Sequence, residues 1–316
     1  MSILIITFFF NNHINVLQNS RQLLRLESQG SILDLDPENG GSILGYRSET
    51  ENRTFHWMRP AGEKGLNGDI LDLSCFPLFP FSSRIREGVF CFRGEEYRLP
   101  LNFLPEKHSI HGHGWKTSWK VVEQSYSSAS LKYVHQPNEW PWSYRAVQSF
   151  TLEKAKLGIN LELHNTSSSP MPAGFGLHPY FVRTPEARVI ADCDRIWVND
   201  DEVMPLRLDP LPAGRNIREG LKPKTGFIDN TFTDWNRKAR IEWPEWNAEM
   251  LIESEAPLDF LVVFAPLNED FFCVEPVSNV TDAFNMMDRG EMGHGTRVLE
   301  AGESLTSSIT FSPTFR

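Results

Sequence analysis

One carboxylate follows an unusually apolar part of the chain. Glu275 comes after two runs rich in Val and Phe, residues 260–264 and 271–274, which are typical of buried strands. Since an isolated buried carboxylate is unfavourable and has a raised pKa, Glu275 must be paired, hydrogen-bonded or used in chemistry. Two interpretations remain open: a functional acid or base, and a structural carboxylate that accepts backbone N–H groups in the turn after the strand.

Three histidines, His108, His111 and His113, lie within six residues. Because His111 and His113 are two residues apart, a strand would direct both side chains to the same face, where they could bind zinc. A sugar-binding or catalytic imidazole and a set of purely structural histidines are the alternatives. The neighbouring glycines, Gly112 and Gly114, indicate a sharp turn or a close approach of the backbone to a ligand.

A further histidine, His178, lies between an apolar, glycine-flanked strand and Pro179, whose ring restricts the backbone around it. An imidazole held at a strand end is a suitable proton donor near neutral pH. The alternative is a core histidine within an aromatic run.

Two more charged residues could hold a ligand. Arg84 follows an apolar segment that contains Pro80, and its planar guanidinium could hold two sugar hydroxyls or a carboxylate. A surface ion pair is the ordinary alternative. Asp229 precedes Asn230 and either caps the following turn or accepts hydroxyl hydrogens from a ligand.

Motifs for several other chemistries are missing from the sequence. It contains no nucleophile elbow, no phosphate-binding glycine loop and no dinucleotide-binding fingerprint. The formal net charge of −10 and the lack of long basic stretches disfavour nucleic acid and anionic membrane surfaces as partners. Nine Trp and 22 Phe fit a strand-built core, and aromatic rings also stack on sugars.

The elements that must position these residues are strands. Short apolar segments alternate with Gly, Pro, Asn and Asp clusters, and most of them show the period of two that is typical of antiparallel sheets. The predicted strands are 23–26, 31–36, 42–47, 89–92, 96–99, 118–122, 130–134, 144–152 and 158–165. No window has convincing helical periodicity. We therefore predict an all-β chain, a large sandwich of the jelly-roll kind with few helices.

The chain has no low-complexity linker, so residues 16–316 are predicted to form a single domain in which 167–172 is a long loop. Residues 1–15 are predicted to be an N-terminal extension, either an extra strand or a tail. Its first ten residues are apolar but too few to span a bilayer, and they lack the basic start of a signal peptide. The four cysteines form no CxxC pair, which indicates free thiols in a reducing, cytoplasmic environment.

In their order along the chain, these clusters resemble the aldose 1-epimerase (galactose mutarotase) family, from about Gln22 onward. The motifs that carry the resemblance are Gly176-Leu177-His178-Pro179-Tyr180-Phe181, and Val274-Glu275-Pro276 followed by Asp282-Ala283-Phe284-Asn285. The resemblance implies a large antiparallel β-sandwich, the galactose mutarotase-like supersandwich, with a sugar cleft on one face and no cofactor or metal.

The resemblance also implies roles for five residues. Glu275 would be the general base that removes the anomeric hydroxyl proton, and His178 the general acid that protonates the ring oxygen. His111 would hold and polarise the ring oxygen, while Arg84 and Asp229 would bind sugar hydroxyls. Opening a hemiacetal needs one acid and one base but no nucleophile, which agrees with the residue types. A Glu with a raised pKa and an imidazole titrating near neutrality would suit this exchange.

This chain departs from the family pattern at two positions. Ser83 stands where many members have Asn before the arginine, and His113 stands where a second Gly is usual. The additional imidazole of His113 is predicted to lie near the site and to influence which sugar is preferred.

The sequence leaves three functional hypotheses. The first is an aldose 1-epimerase acting on a free monosaccharide, and the alternatives are a hexose-6-phosphate 1-epimerase and a catalytically silent sugar-binding protein. A phosphate would require basic residues at the cleft, for which Arg86, Arg93 and Arg98 are available. A binding protein has no need for an acid and base pair.

Overall fold

The computed structural model describes residues 21–51 and 53–316. The extension predicted for residues 1–15 lies outside the described residues, and the single domain over 16–316 stays a prediction. Among the described residues, no helix has the length and apolar character needed to cross a bilayer.

Antiparallel strands make up most of the fold. In chain order they are β1 (Leu24–Ser28), β2 (Ser31–Asp36), β3 (Ser42–Thr50), β4 (Arg53–His56), β5 (Cys75–Leu78), β6 (Arg84–Ile85), β7 (Val89–Phe92), β8 (Glu95–Arg98), β9 (Ser109–Ile110), β10 (Lys120–Gln124), β11 (Ser128–His135), β12 (Tyr144–Glu153), β13 (Lys156–Asn165), β14 (Met171–Ala173), β15 (Gly176–Val182), β16 (Arg188–Ala191), β17 (Arg195–Asn199), β18 (Pro205–Pro210), β19 (Ile228–Thr233), β20 (Lys238–Trp243), β21 (Ala248–Ser254), β22 (Phe260–Ala265), β23 (Phe271–Val277), β24 (Arg297–Leu299) and β25 (Ser304–Phe315).

Helices are few and short, as predicted. The two α-helices in the described part of the chain are α1 (Glu63–Leu66) and α2 (Ala283–Asp288). Single 3₁₀ turns occur at Ile70–Asp72, Arg86–Gly88, Gly114–Lys116, Ala213–Arg215, Ile217–Glu219, Pro223–Thr225 and Pro244–Trp246.

Two large sheets carry the fold. The first has 11 strands in the order β1-β2-β3-β5-β15-β23-β22-β19-β17-β18, with β4 paired to β3. The second has eight strands in the order β10-β11-β12-β13-β25-β21-β20-β16. Three two-stranded pairs, β14-β24, β6-β9 and β7-β8, complete the set. The predicted all-β sandwich is confirmed, and it has more strands than the eight of a jelly roll.

The main core lies between the two sheets. It is built from alternate residues, for example Leu33 and Leu35 of β2 and Ile159 and Leu161 of β13, all of them buried. A second apolar cluster lies on the opposite face of the 11-stranded sheet and includes Phe76, Tyr180 and Val262. Because alternate residues of a strand point to opposite faces, β15 sends Leu177 and Phe181 into the main core and His178 and Tyr180 to this second face.

Most predicted strands are found within one to three residues of their expected ends. The loop predicted for 167–172 is shorter, because its last two residues belong to β14, which pairs with β24. The strand that carries Glu275 also runs further than expected, to Val277, so that Glu275 lies inside a strand and not in the turn after it.

Candidate active site

The register of two central strands brings Glu275 and His178 together. Gly176 of β15 pairs with Val277 of β23, and Tyr180 pairs with Cys273, which sets His178 across from Glu275. His178 Nε2 lies 3.4 Å from Glu275 Oε1, and the two side chains are only 8% and 3% exposed. The structural alternative for Glu275 is not observed: within the described residues, no backbone N–H donates to its carboxylate. The two side chains are therefore close enough to contact the same atoms of a small ligand.

Aromatic packing fixes the imidazole of His178. Its ring stacks between those of Phe76 and Tyr180, with centroids 4.6 Å and 4.8 Å away. His178 lies in the first half of β15, not at a strand end as predicted. Its Nδ1 atom is buried and has no hydrogen-bond partner among the described residues. The ring is thus positioned by stacking and leaves Nε2 directed at Glu275.

His111 is held in one tautomer by the backbone. The ring Nδ1 of His111 accepts a hydrogen bond from the main-chain N–H of Ser83 at 3.1 Å. The main-chain N–H of His111 in turn donates to the Ser83 carbonyl at 2.9 Å. A nitrogen that accepts a hydrogen bond carries no proton, so in neutral His111 the hydrogen is on Nε2. The ring centroid lies 5.4 Å from that of His178. Ser83, where many family members have Asn, performs this task with its main chain.

Short connections hold the segment that carries His111. Strand β6 pairs with β9, so that Arg84 is opposite Ile110, the neighbour of His111. The side chain of Asn102 donates to the carbonyls of Ile110 and Gly112, both at 2.7 Å, and accepts from the Ile110 N–H at 2.9 Å. These hydrogen bonds pair backbone N–H and C=O groups in a segment that has no helix or long strand to pair them.

Arg84 and Asp229 form an ion pair in the lining of the cleft. Arg84 Nη1 is 3.3 Å from Asp229 Oδ2, and its Nε is 3.4 Å from the carboxylate of Glu106. Asp229 lies inside β19 and does not cap a turn. With side-chain exposures of 14% and 12%, the Arg84–Asp229 pair offers both donors and acceptors to a bound polyhydroxyl ligand.

All five residues predicted for the site line one cleft of about 440 Å³. Its walls near Glu275 and His178 include the rings of Phe76, Phe103 and Trp115. Apolar walls with a few convergent polar groups are typical of small-molecule sites, and aromatic faces suit the C–H faces of sugars.

Burial controls the protonation of the three central groups. It raises the pKa of Glu275 well above its ordinary value, helped by the charge of Asp229 and opposed by Arg84. It also lowers the pKa of His178 to about 3, where the charges of Arg59 and Arg84 act in the same direction. The pKa of His111 is likewise held well below its ordinary value, first by burial and then by His178. The pKa of the His178 imidazole, which was expected near neutrality, is therefore well below it, and burial favours the neutral ring.

His113 does not belong to this site, contrary to the prediction. Its Nε2 lies 2.7 Å from the hydroxyl of Tyr144, and its ring packs 4.3 Å from that of His135. His111 and Gly112 have positive φ values of 60° and 64°, so the segment is not a strand and the two histidines do not share a face. The zinc interpretation of His111 and His113 is wrong for the same reason. His108, fully buried, accepts the N–H of Glu87 on its Nδ1.

The described residues contain a different group of possible metal donors. Single ligand atoms of His178, Cys273 and Glu275 lie within 4.8 Å of one another. Burial raises the pKa of the Cys273 thiol well above its ordinary value, which disfavours the thiolate that metals require. All four cysteines are free thiols in the structure.

The arginines considered for a phosphate do not line the cleft. Each is paired with a carboxylate elsewhere: Arg86 with Asp200, Arg93 with Glu300, and Arg98 with Glu96. The basic residues that do line it are Arg59, Lys64 and Arg84. Arg86, Arg93 and Arg98 therefore do not supply a phosphate site in the cleft, where the basic residues that a phosphate would meet are Arg59, Lys64 and Arg84.

Sequence reasoning missed Arg59. Its guanidinium lies over the rings of Tyr180 and Phe271, 4.3 Å and 4.6 Å from their centroids, and its Nη2 donates to the carbonyls of Leu71 and Leu73. In the sequence, Arg59 is only an arginine between Met58 and Pro60, and this local pattern does not indicate a binding site. Its position becomes visible only when β15 and β23, which carry Tyr180 and Phe271, are assembled.

This combination of two large antiparallel sheets and a buried carboxylate–imidazole pair in a side cleft defines a galactose mutarotase-like sandwich. A protein of this description from Clostridium acetobutylicum has a crystal structure that superposes with a TM-score of 0.83, at 18% identity, covering 94% of this chain and 96% of that one. An Escherichia coli K12 structure, described only provisionally as an aldose 1-epimerase, gives a TM-score of 0.83 at 29% identity and covers 93% of this chain and 99% of its own.

The sequence comparisons identify the family. The model of the aldose 1-epimerase family matches residues 25–312. The uncharacterised protein YphB of Escherichia coli K12 is 31% identical over 292 residues, which are 90% of this chain and 96% of that protein. The chain therefore belongs to the aldose 1-epimerase family, as the motifs around His178 and Glu275 predicted.

Proposed function

We propose that this protein is an aldose 1-epimerase that interconverts the α and β anomers of a free aldose by opening and closing the hemiacetal ring. The observation that carries the proposal is the 3.4 Å contact between His178 Nε2 and Glu275 Oε1 in the floor of a cleft with aromatic walls. Family membership supports the same reaction class. The monosaccharide is the partner that the cleft would bind.

The reaction follows from two proton transfers. The Glu275 carboxylate takes the proton of the anomeric hydroxyl while His178 gives a proton to the ring oxygen. The bond between the anomeric carbon and the ring oxygen breaks with its electron pair on that oxygen, and the anomeric C–O becomes a carbonyl. Rotation about the adjacent C–C bond presents the other face, and the reverse transfers close the ring. His111 donates from Nε2 to the ring oxygen, and Arg84 and Asp229 hold hydroxyl groups.

The pair needs one proton in total. Carboxylate plus imidazolium and carboxylic acid plus imidazole carry the same net charge, so the proton can cross between the two groups without changing the charge of the site. Burial favours the uncharged form of the pair, since it raises the pKa of Glu275 and lowers that of His178. Ring opening ends in that uncharged form, so the environment of the pair favours the product of the first half-reaction.

Polarimetry tests the proposal. Freshly dissolved α-glucose or α-galactose approaches rotational equilibrium slowly in buffer, and catalytic amounts of the protein should accelerate this approach. A series of aldoses would identify the preferred one. If every aldose equilibrates at the buffer rate in the presence of the protein, the proposed activity is wrong. Calorimetric binding without acceleration would instead identify the catalytically silent sugar-binding protein.

A further inference from the structure

A buried asparagine connects the strand of Glu275 with the segment that holds His111. Asn279 follows Glu275 in the same stretch of chain, is only 2% exposed and is not among the described residues that line the cleft. Its side chain bonds to both backbone groups of Ser82: Oδ1 accepts the Ser82 N–H at 3.1 Å, and Nδ2 donates to the Ser82 carbonyl at 3.0 Å. The amide of Asn279 therefore pairs with Ser82 as a neighbouring strand would.

Further hydrogen bonds hold this asparagine and its surroundings in place. Nδ2 of Asn279 also donates to the carbonyl of Val280 at 3.0 Å, and the hydroxyl of Ser82 donates to the main-chain carbonyl of Asn279 at 2.8 Å. A little further along, the N–H of Asp282 donates to the carbonyl of Arg84 at 2.8 Å. The chain after β23 thus fixes the segment that carries Ser82 and Arg84 relative to β23.

One peptide group links Asn279 to His111. The carbonyl of Ser82 and the N–H of Ser83 belong to this group. The carbonyl accepts from Nδ2 of Asn279, and the N–H donates to Nδ1 of His111 at 3.1 Å. Consecutive hydrogen bonds of this kind polarise one another, so a donor at the carbonyl strengthens the bond made by the N–H. Asn279 therefore strengthens the contact that keeps the His111 hydrogen on Nε2.

We propose that Asn279 is a positioning residue for His111, whose tautomer and ring orientation it fixes through the peptide group between Ser82 and Ser83. The expected effect on turnover rests on the proposed function, whereas the effect on the tautomer depends only on these contacts. In that reaction the Nε2–H of His111 bonds to a ring oxygen that gains electron density as the ring opens. The contribution of Asn279 should therefore appear mainly in kcat and less in KM.

The test begins with Asn279→Ala, which removes both the donor and the acceptor of the side chain. In polarimetry with glucose and galactose, we expect kcat to fall about 10–100-fold and KM to change by less than about threefold. Nitrogen-15 spectra of the histidine rings report the tautomer directly. Wild-type His111, assigned by the signals missing from His111→Gln, should show one protonated and one unprotonated nitrogen. In Asn279→Ala the two signals should move toward each other as both tautomers become populated.

Asn165→Ala is the matched control for the loss of a buried asparagine. Asn165 is fully buried, donates from Nδ2 to the carbonyls of Ser169 and Leu299, both at 2.8 Å, and is not among the described residues that line the cleft. We expect this variant to lose stability in urea as Asn279→Ala does, because each leaves buried carbonyls without a donor. Its kcat and its His111 signals should equal those of the wild type.

A second control lies on the other side of the same contact. Ser82→Ala removes the hydroxyl that donates to Asn279 but leaves the peptide group between Ser82 and Ser83 intact. We expect its kcat to stay within about twofold of the wild-type value, with unchanged His111 signals.

If Asn279→Ala is not recovered as a folded protein, Asn279→Thr takes its place. Threonine fills more of the space, but its hydroxyl is attached one bond short of the Nδ2 position, so the same changes are expected. A wild-type kcat or unchanged His111 signals in the folded variant would each overturn the inference, as would equal changes in Asn165→Ala. If the wild type itself does not accelerate anomer interconversion, the proposed function is wrong, and the His111 spectra alone then decide the inference.

Discussion

At the scale of single residues, the central feature is one proton between two buried groups. Glu275 and His178 are each almost fully buried, and burial acts on them in opposite directions, raising one pKa and lowering the other. The hydroxyl groups of a bound sugar would donate hydrogen bonds to the Glu275 carboxylate and so restore some of the polar contacts that it lacks. Protonation of the pair is therefore expected to depend strongly on whether the cleft is occupied.

Replacing the proposed base gives the most direct residue-level prediction. Glu275→Gln keeps the shape of the side chain but removes its basicity, so we expect the rate of anomer interconversion in polarimetry to fall about 10²–10⁴-fold. Sugar binding measured by calorimetry should persist. Glu253→Gln, on β21 in the other sheet, is the matched control and should keep full activity. An active Glu275→Gln protein would show that another group is the base.

The same substitution should change stability with pH. The folded-state pKa of Glu275 is raised above the 4.5 of an exposed glutamate, so the stability associated with its protonated form is fully present below 4.5 and is lost as the pH rises through the folded-state value. Glutamine does not ionise. At neutral pH, Glu275→Gln should therefore unfold at a higher urea concentration than the wild type, because only the wild type gains free energy by ionising this side chain in the unfolded state.

The comparison needs a second pH as its reference. Below the ordinary glutamate pKa both proteins carry an uncharged side chain at this position, and their unfolding free energies should converge. A variant that is less stable than the wild type at neutral pH would contradict the direction of the pKa shift of Glu275.

At the scale of elements, the turn after β9 decides where His111 lies. Gly112 has φ +64°, and a Cβ added to it would lie 2.1 Å from the carbonyl oxygen of Phe79, which accepts the N–H groups of His113 and Gly114. Gly112→Ala should displace this segment and cost roughly 1–3 kcal/mol or more in unfolding free energy, with a loss of activity because His111 moves.

A control separates the clash from backbone strain. Gly94, in the turn between β7 and β8, has φ +85° and open space around an added Cβ. The unfolding free energy of Gly94→Ala should therefore fall only by the roughly 1–2 kcal/mol that a left-handed conformation costs a residue with a Cβ atom. The variant should keep its activity. Equal losses in the two variants, measured by urea unfolding, would mean that the contact with Phe79 is unimportant.

Elements also explain what could be predicted from the sequence. The strands and the five candidate residues could be predicted because apolar alternation and short motifs are local properties. The position of His113 could not, because the two-residue rule holds only in a strand, and His111 and Gly112 turn the chain instead. Arg59 was missed because its setting depends on Tyr180 and Phe271, more than 100 residues away in the sequence. The low pKa of His178 follows from burial, which the local sequence does not show.

At the scale of the whole molecule, the eight-stranded sheet depends on one late strand. β25 lies between β13 and β21, pairing Leu157 with Phe311 on one side and Ala248 with Phe315 on the other. Its residues Ile309 and Phe311 also belong to the core between the sheets.

Deleting residues 304–316 should therefore abolish folding, since two strand edges and part of the core would be exposed together. Circular dichroism and urea unfolding should show no cooperative transition, and the protein should be recovered as aggregate. Removing Arg316 alone, which forms ion pairs with Glu242 and Glu249, should change stability by less than about 1 kcal/mol. A soluble, cooperatively folded chain without β25 would contradict this account of the sheet.

The position of β25 also has a consequence for biosynthesis. While the ribosome is still adding this strand, β13 and β21 have already emerged and have no neighbour between them. Until β25 pairs with them, these two strands of the nascent polypeptide have unpaired backbone edges, which are prone to pair with other chains and aggregate.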